Sequence, residues 1–112
     1  MTIKLALATT DRLTVYTHFG HASEFHIVNV YDDDSYEFTE TRYVARACTG
    51  GTHDENAFDA ILLAIKDCDA VVVAQIGPGA AEYVLQRNIR VFEAPGAVEK
   101  IIPVISGRIR AS

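Results

Sequence analysis

Cysteine is scarce in this chain, with two residues in 112, too few for a disulfide framework. Clusters of lysine and arginine are missing as well, and the formal net charge is −5. Nucleic-acid binding rests on neutralising many phosphates at once, so nucleic acid is not an expected partner. No basic-then-apolar segment precedes the first predicted strand. The longest apolar stretches, such as residues 60–65 and 70–74, fall far short of the roughly 20 residues a membrane span needs. The chain therefore reads as cytoplasmic and reduced, with no membrane partner. Internal repeats, low-complexity tracts and linkers are also absent. The expected organisation is one domain over residues 1–112, and a 49% hydrophobic content is enough for it to bury a core.

What is present reads as alternating strands and helices. Residues 3–8 suit a strand, closed by the turn-forming Thr9-Thr10-Asp11-Arg12. Residues 25–31 and 36–44 are rich in β-branched and aromatic side chains, and Asp32-Asp33-Asp34-Ser35 between them predicts a hairpin. The acidic triplet lacks the alternating ligand spacing and terminal glutamate of a calcium loop, so it reads as a solvated turn. Residues 45–52 show no period. Residues 53–67 place Ala57, Ile61, Ala64, Ile65 and Cys68 on one helical face, and Thr52 with Glu55 forms a candidate capping box that puts the helix start near His53. Ala70-Val71-Val72-Val73-Ala74 is a strand covered on both faces. A helix over residues 80–88, a strand over 90–93 and an amphipathic helix over 98–109 complete the order βββαβαβα.

Three loops are then expected to meet. A hairpin returns the third strand parallel to the first, and a right-handed crossover makes the strand at 70–74 parallel as well. His18 and His21, Cys48 and His53, and Gly77-Pro78-Gly79 would all lie at the carboxyl edge of the sheet, where open α/β sheets bind ligands. Two helices would start there, and their free N–H groups favour anions. Imidazoles, a thiol and a positive backbone field do not fit a hard cation. They suit an anionic, sulfur-containing metal cluster. Each residue has a plainer reading: His18 and His21 as capping or hydrogen-bonding loop residues, Cys48 as an exposed thiol, His53 as an exposed residue at a helix start. Cys68 and His26 read as structural. The Gly77-Pro78-Gly79 turn lacks the Lys and Ser/Thr of a phosphate-binding loop.

The strand at 3–8, His18-Phe19-Gly20-His21-Ala22 with Phe25 beyond it, Cys48, Lys66-Asp67-Cys68-Asp69-Ala70-Val71-Val72 and Ile76-Gly77-Pro78-Gly79, taken in order, resemble the nitrogenase iron-molybdenum cofactor biosynthesis family. That family includes the NifX and NafY carriers and the carboxyl-terminal domain of NifB, and this chain resembles a stand-alone member. The resemblance implies a ribonuclease-H-like α/β fold, a mixed five-stranded sheet with helices on both faces. It implies a non-enzymatic carrier of an iron-sulfur cluster, the iron-molybdenum cofactor or its precursor, bound as cargo. The cofactor-binding residues it implies are His18, Phe19, Gly20, His21, Cys48, Gly77 and Gly79, with His18, His21 and Cys48 as metal ligands; His53 is added from its position. Nitrogenase-assembly proteins or apo-dinitrogenase are the implied partners, with the chain a monomer or weak homodimer. No Cys-x-x-x-Cys-x-x-Cys element is present, so the radical chemistry of larger relatives is not expected. Rival readings are a regulatory or scaffolding module that binds a protein or small anion, and a simple metal-binding protein.

Overall fold

Side chains of the first strand alternate between two apolar clusters, so that both faces are used. Ile3, Leu5 and Leu7 lie in one apolar cluster, and Ala6 and Ala8 in the other. The computed structural model describes residues 2–44, 48, 49, 52, 53 and 55–111, the backbone alone for 48, 49, 52, 53 and 55–57. Its elements in chain order are β1 (Ile3–Leu7), β2 (Thr14–Val15), a 3-10 turn (Phe19–His21), β3 (Glu24–Val30), β4 (Tyr36–Tyr43), β5 (Cys48–Thr49), β6 (Thr52–His53), α1 (Glu55–Ile65), β7 (Ala70–Val73), α2 (Pro78–Leu85), β8 (Arg90–Glu93), β9 (Gly96–Ala97) and α3 (Val98–Ala111).

The main sheet has five strands in the order β4-β3-β1-β7-β8. β1 is antiparallel to β3 and parallel to β7, β3 is antiparallel to β4, and β7 is parallel to β8. This is a mixed α/β sheet covered on both sides. Phe58, Ile61, Leu62 and Ile65 of α1 and Val84 of α2 pack with Phe25, Ile27, Val71 and Val73. Val98, Ile102 and Ile105 of α3 pack on the opposite face with Leu5, Leu7, Val28 and Val72. All four residues of β7 are buried, as a strand with helices on both faces requires.

The acidic segment at residues 32–34 is the turn of the β3–β4 hairpin. Asp33 accepts the N–H of Ser35 at 3.0 Å, and Asp34, at φ 67°, accepts from Arg110 at 2.8 Å.

Three features depart from the sequence reading. The helix expected from residue 53 begins at Glu55, because Thr52 and His53 pair as β6 with β5; Thr52 is a strand residue and not a helix cap. Residues 45–52, expected to lack regular structure, contain β5. A carrier that must release its cargo is expected to hold residues 45–53 as a mobile loop, and that expectation falls in good part outside the described residues. Third, β2 and β9 pair antiparallel as a two-residue ribbon, too short for any hydrophobic period to reveal.

Candidate functional site

β1 and β7 run side by side, with Leu5 opposite Ala70 and Leu7 opposite Val72, so both end at one edge of the sheet. The chain beyond them stays in register. Ala8 donates its N–H to Val72 at 2.9 Å, Ala74 donates to Thr17 at 3.0 Å, and Phe19 donates to Gln75 at 2.9 Å. His18 and Gln75 form a parallel bridge. The histidine loop is thereby laid along the residues that lead into Gly77.

Phe19 fixes the turn that follows. It is 1% exposed, and its ring lies 5.8 Å from that of Phe58 on α1. His18 caps the turn: its Nδ1 accepts the N–H of Gly20 at 3.3 Å, and its carbonyl accepts the N–H of His21 at 3.0 Å. The two imidazoles stand 5.1 Å apart, inclined at 34°, His18 half-buried and His21 exposed. In a neutral ring the nitrogen that accepts carries no proton, so the capping geometry places the His18 proton on Nε2. The plainer sequence reading, a capping histidine, thus describes one nitrogen of His18. The side chain of His21 has no hydrogen-bond partner among the described residues.

The other two loops reach the same edge. β5, which carries Cys48, lies against the histidine turn, and its register with β6 sets Cys48 directly opposite His53. Gly77 is the N-cap of α2, with φ −68° and ψ 152° and no side-chain cap, and Pro78 occupies the first turn. A Cβ at Gly77 or at Gly79 would meet nothing within 4 Å. The helix start therefore presents N–H groups and open space.

Glu93 is a residue that the sequence reading missed. Its Oε2 accepts the N–H of Ile76 at 2.9 Å, which brings a carboxylate to the rim beside the helix start. The available signal was topological, since the last residue of a strand parallel to β7 must end at this edge. Arg42 and Arg46 are the arginines that a cluster-binding reading would use for charge-assisted bonds, but Arg42 is held elsewhere. It donates to Asp67 at 2.5 Å, to the Ala64 carbonyl at 2.8 Å and to Glu40 at 2.5 Å, tying β4 to the end of α1. Arg46, its counterpart, lies outside the described residues. Cys68 is buried, and burial first, then neighbouring Asp67, pushes its thiol up to about 12. No three His, Cys, Asp or Glu side chains gather around one point among the described residues. No described helix is long and apolar enough to cross a membrane.

Residues 1–106 match the family described as dinitrogenase iron-molybdenum cofactor. Over 77 residues, 69% of this chain, the sequence is 42% identical to the FeMo cofactor biosynthesis protein NifB of Herbaspirillum seropedicae, of which it covers 14%. Over 110 residues, 96% of the chain, it is 30% identical to NifB of Frankia alni, of which it covers 21%. The chain thus spans about a fifth or less of these relatives. The fold is similar to an NMR structure of a Thermotoga protein provisionally assigned to NifB, with TM-score 0.59, 21% identity, and 94% and 88% of the two chains covered. It is also similar to a crystal structure from Methanocaldococcus jannaschii, with TM-score 0.60, 19% identity and the same coverage.

Proposed function

The chain belongs to the dinitrogenase iron-molybdenum cofactor family, and from that premise we propose that it binds an iron-sulfur metallocluster as cargo during nitrogenase cofactor assembly or a related iron-sulfur pathway. The observation that carries this reading is the meeting of three loops at one sheet edge: the His18–His21 turn, the strand bearing Cys48, and the open glycine start of α2. An imidazole of the histidine pair anchors a metal of the cluster, Cys48 assists as thiolate, and His53 stands opposite it. Phe19 and Gly20 shape the turn. The N–H groups at the start of α2, with Gly77 and Gly79 leaving the approach open, donate to the anionic surface. The strand order of the main sheet supports the ribonuclease-H-like assignment.

The chemistry is that of a carrier. Among the described residues no carboxylates gather as two-metal hydrolysis would need. Cargo that must be handed on calls for few protein ligands, and the assembly proteins or apo-dinitrogenase that give and take it are the partners. The protein supplies no reaction of its own.

The His18 cap also favours a second reading, in which the histidines shape a module that binds a protein through the same edge. One experiment separates the two. The purified protein is incubated without air with isolated iron-sulfur cofactor precursor, passed through gel filtration and assayed for iron, alongside His18→Ala, His21→Ala and Cys48→Ala. Iron co-eluting with the wild type and lost in a folded variant supports the carrier. A folded wild type that retains no iron refutes it for this ligand and leaves the protein-binding module.

A further inference from the structure

β4 is the outer strand of the main sheet: Tyr36–Tyr43 pairs with β3 on one side, and no described strand lies on the other. The hydrogen bonds beyond its two ends tell which backbone groups face outward. Val44 donates to the Ser23 carbonyl at 2.9 Å and Tyr31 to that of Ser35 at 2.8 Å, so both are hydrogen-bonded pairs of the antiparallel ladder. Such pairs alternate with pairs whose N–H and C=O groups point away from each other. Counted along the register, the outward residues are Tyr43 and Thr41 from one end and Tyr36 and Phe38 from the other. The phase changes between them because Thr39 is an extra residue, with Ile27 opposite Glu40 and Val28 opposite Phe38. The same four side chains share a face. Phe38 packs with the α3 cluster, its ring is 6.1 Å from that of Tyr36, and Thr41 Oγ1 lies 3.1 Å from Nδ1 of His26, whose ring abuts Phe38. Tyr43, two residues on, follows Thr41. Glu37 and Arg42 lie on the other face, where Arg42 meets α1 at the Ala64 carbonyl.

We propose that this edge is a docking surface for a second copy of the chain, with the two β4 strands antiparallel about a twofold axis. The four outward residues select the register. Only with Tyr36 opposite Tyr43 and Phe38 opposite Thr41 of the other copy does every outward residue meet an outward residue, and the twofold repeats both pairs. In that register the side chains suit one another. Tyr36 and Tyr43, 36% and 78% exposed, cover each other as an aromatic cross-strand pair. Tyr36 also lines a hollow of about 220 Å³ with the exposed Leu13, and Tyr43 of the second copy arrives at its rim. On the opposite face Glu37 comes opposite Arg42, unlike charges rather than like. Glu40, the carboxylate nearest the axis, is already held by its own Arg42 at 2.5 Å. Edges are commonly guarded by a bulge that an incoming strand cannot match. Here the bulge at Thr39 sits at the middle of the register and meets its own copy. Because β4 runs parallel to β1, antiparallel docking sends the two histidine turns to opposite ends of one continuous sheet, and neither lies in the interface.

The dimer rests on the strand and not on cargo, so its failure and that of the cluster-binding reading are separate results. An interface of one strand pair is below the standard size and associates weakly. Sedimentation equilibrium of the cargo-free protein is expected to show the mass rising from one chain towards two, with a Kd between about 1 μM and about 1 mM. Tyr43→Pro removes an outward N–H and the exposed ring without taking a donor from the β3 ladder. Made twice by the symmetry, that loss weakens association by about tenfold or more. The register is tested separately, in a Cys48→Ser background, by mixing Tyr36→Cys with Tyr43→Cys under mild oxidation. Residues of a hydrogen-bonded pair have Cα atoms about 5.5 Å apart, within reach of a disulfide. The mixture therefore gives a covalent dimer joining position 36 to position 43, and neither variant alone does. A wild type that stays monomeric at about 1 mM, association unchanged in a folded Tyr43→Pro, or disulfides that form in either variant alone as readily as in the mixture overturns the proposal. If Tyr43→Pro does not fold, the cysteine pair decides.

Discussion

The N–H of Phe19 bonds to the carbonyl of Gln75 at 2.9 Å, so the histidine turn and the approach to α2 are one piece of backbone. Two residues before Gly77, this contact carries the parallel pairing of β1 and β7 past the ends of the strands. Loops that would otherwise be independent acquire a fixed separation. Under the carrier reading proposed above, that fixed frame would substitute for a closed cage.

Phe19 is the side chain on which the frame rests. Phe19→Ala removes a fully buried ring from contact with Phe58 and lowers unfolding free energy by about 3–5 kcal/mol, read from urea denaturation. Phe19→Leu loses much less. A loss below about 1 kcal/mol for the alanine variant would show that the turn is held by its backbone bonds alone.

The two histidines separate by stability as well as by iron. His18→Ala removes a cap and lowers stability by about 0.5–1 kcal/mol, the lower end of the usual range because the bond is 3.3 Å long. His21→Ala, with an exposed ring, stays within about 0.5 kcal/mol of wild type. Urea midpoints that are equal for the two variants would remove the capping role of His18.

Patterns long enough to show a period were legible in the sequence, and contacts made across it were not. The apolar run at residues 70–74 announced a strand with both faces covered, and β7 is that strand. The turn at residues 32–34 followed from its composition. Thr52 with Glu55 had the spacing of a capping box, yet Thr52 pairs with Thr49 in a ribbon that no local pattern signals. At the candidate site, loop convergence was legible from strand direction alone. The Glu93 bond to Ile76 and the Arg42 bond to Asp67 join residues 17 and 25 positions apart, which only the folded register brings together.

Asp67 makes the protein sensitive to acid. The Arg42 guanidinium first, and Lys4 after it, hold its carboxyl well below the usual carboxylate range against the opposing effect of burial. A depressed folded value stabilises the fold above the unfolded value, near 4, and that stabilisation is lost as pH falls towards the folded one. Because the side chain is 42% exposed, solvent screens the pair, and Asp67→Asn costs about 1 kcal/mol at neutral pH. The gap between wild type and variant narrows below about pH 4, as paired urea titrations at about pH 7 and about pH 3 would record. A gap that stays constant would assign the loss to packing.

Cys68 should be silent to thiol reagents while the protein is folded. Its thiol, pushed up to about 12 chiefly by burial, forms almost no thiolate at neutral pH. Iodoacetamide at about pH 8 followed by peptide mapping leaves Cys68 unmodified in buffer and modified in denaturant. The same shift carries a stability consequence of opposite sign to that of Asp67. A raised folded value stabilises below the unfolded value, near 9, and the stabilisation is lost as pH rises through the folded value. Cys68→Ala therefore removes a loss of stability in alkali that the wild type shows.

Gly77 and Gly79 offer the sharpest separation between fold and cargo. Neither glycine holds a conformation that other residues avoid, and at both a Cβ would meet nothing within 4 Å. Steric space gives no reason for glycine at either position, although at Gly77, the N-cap, glycine is a better helix start than alanine. Gly79 lies in the first turn of α2, where alanine is the better helix former, so Gly79→Ala leaves stability unchanged or raises it by up to about 1 kcal/mol. If the open space is where an anionic cluster meets the helix start, the same methyl group obstructs the approach. Iron retention in the anaerobic assay then falls in a variant at least as stable as wild type. Retention equal to wild type in both Gly77→Ala and Gly79→Ala would place the cargo elsewhere on the edge, against the histidine turn and β5, and leave the glycines as a helix start.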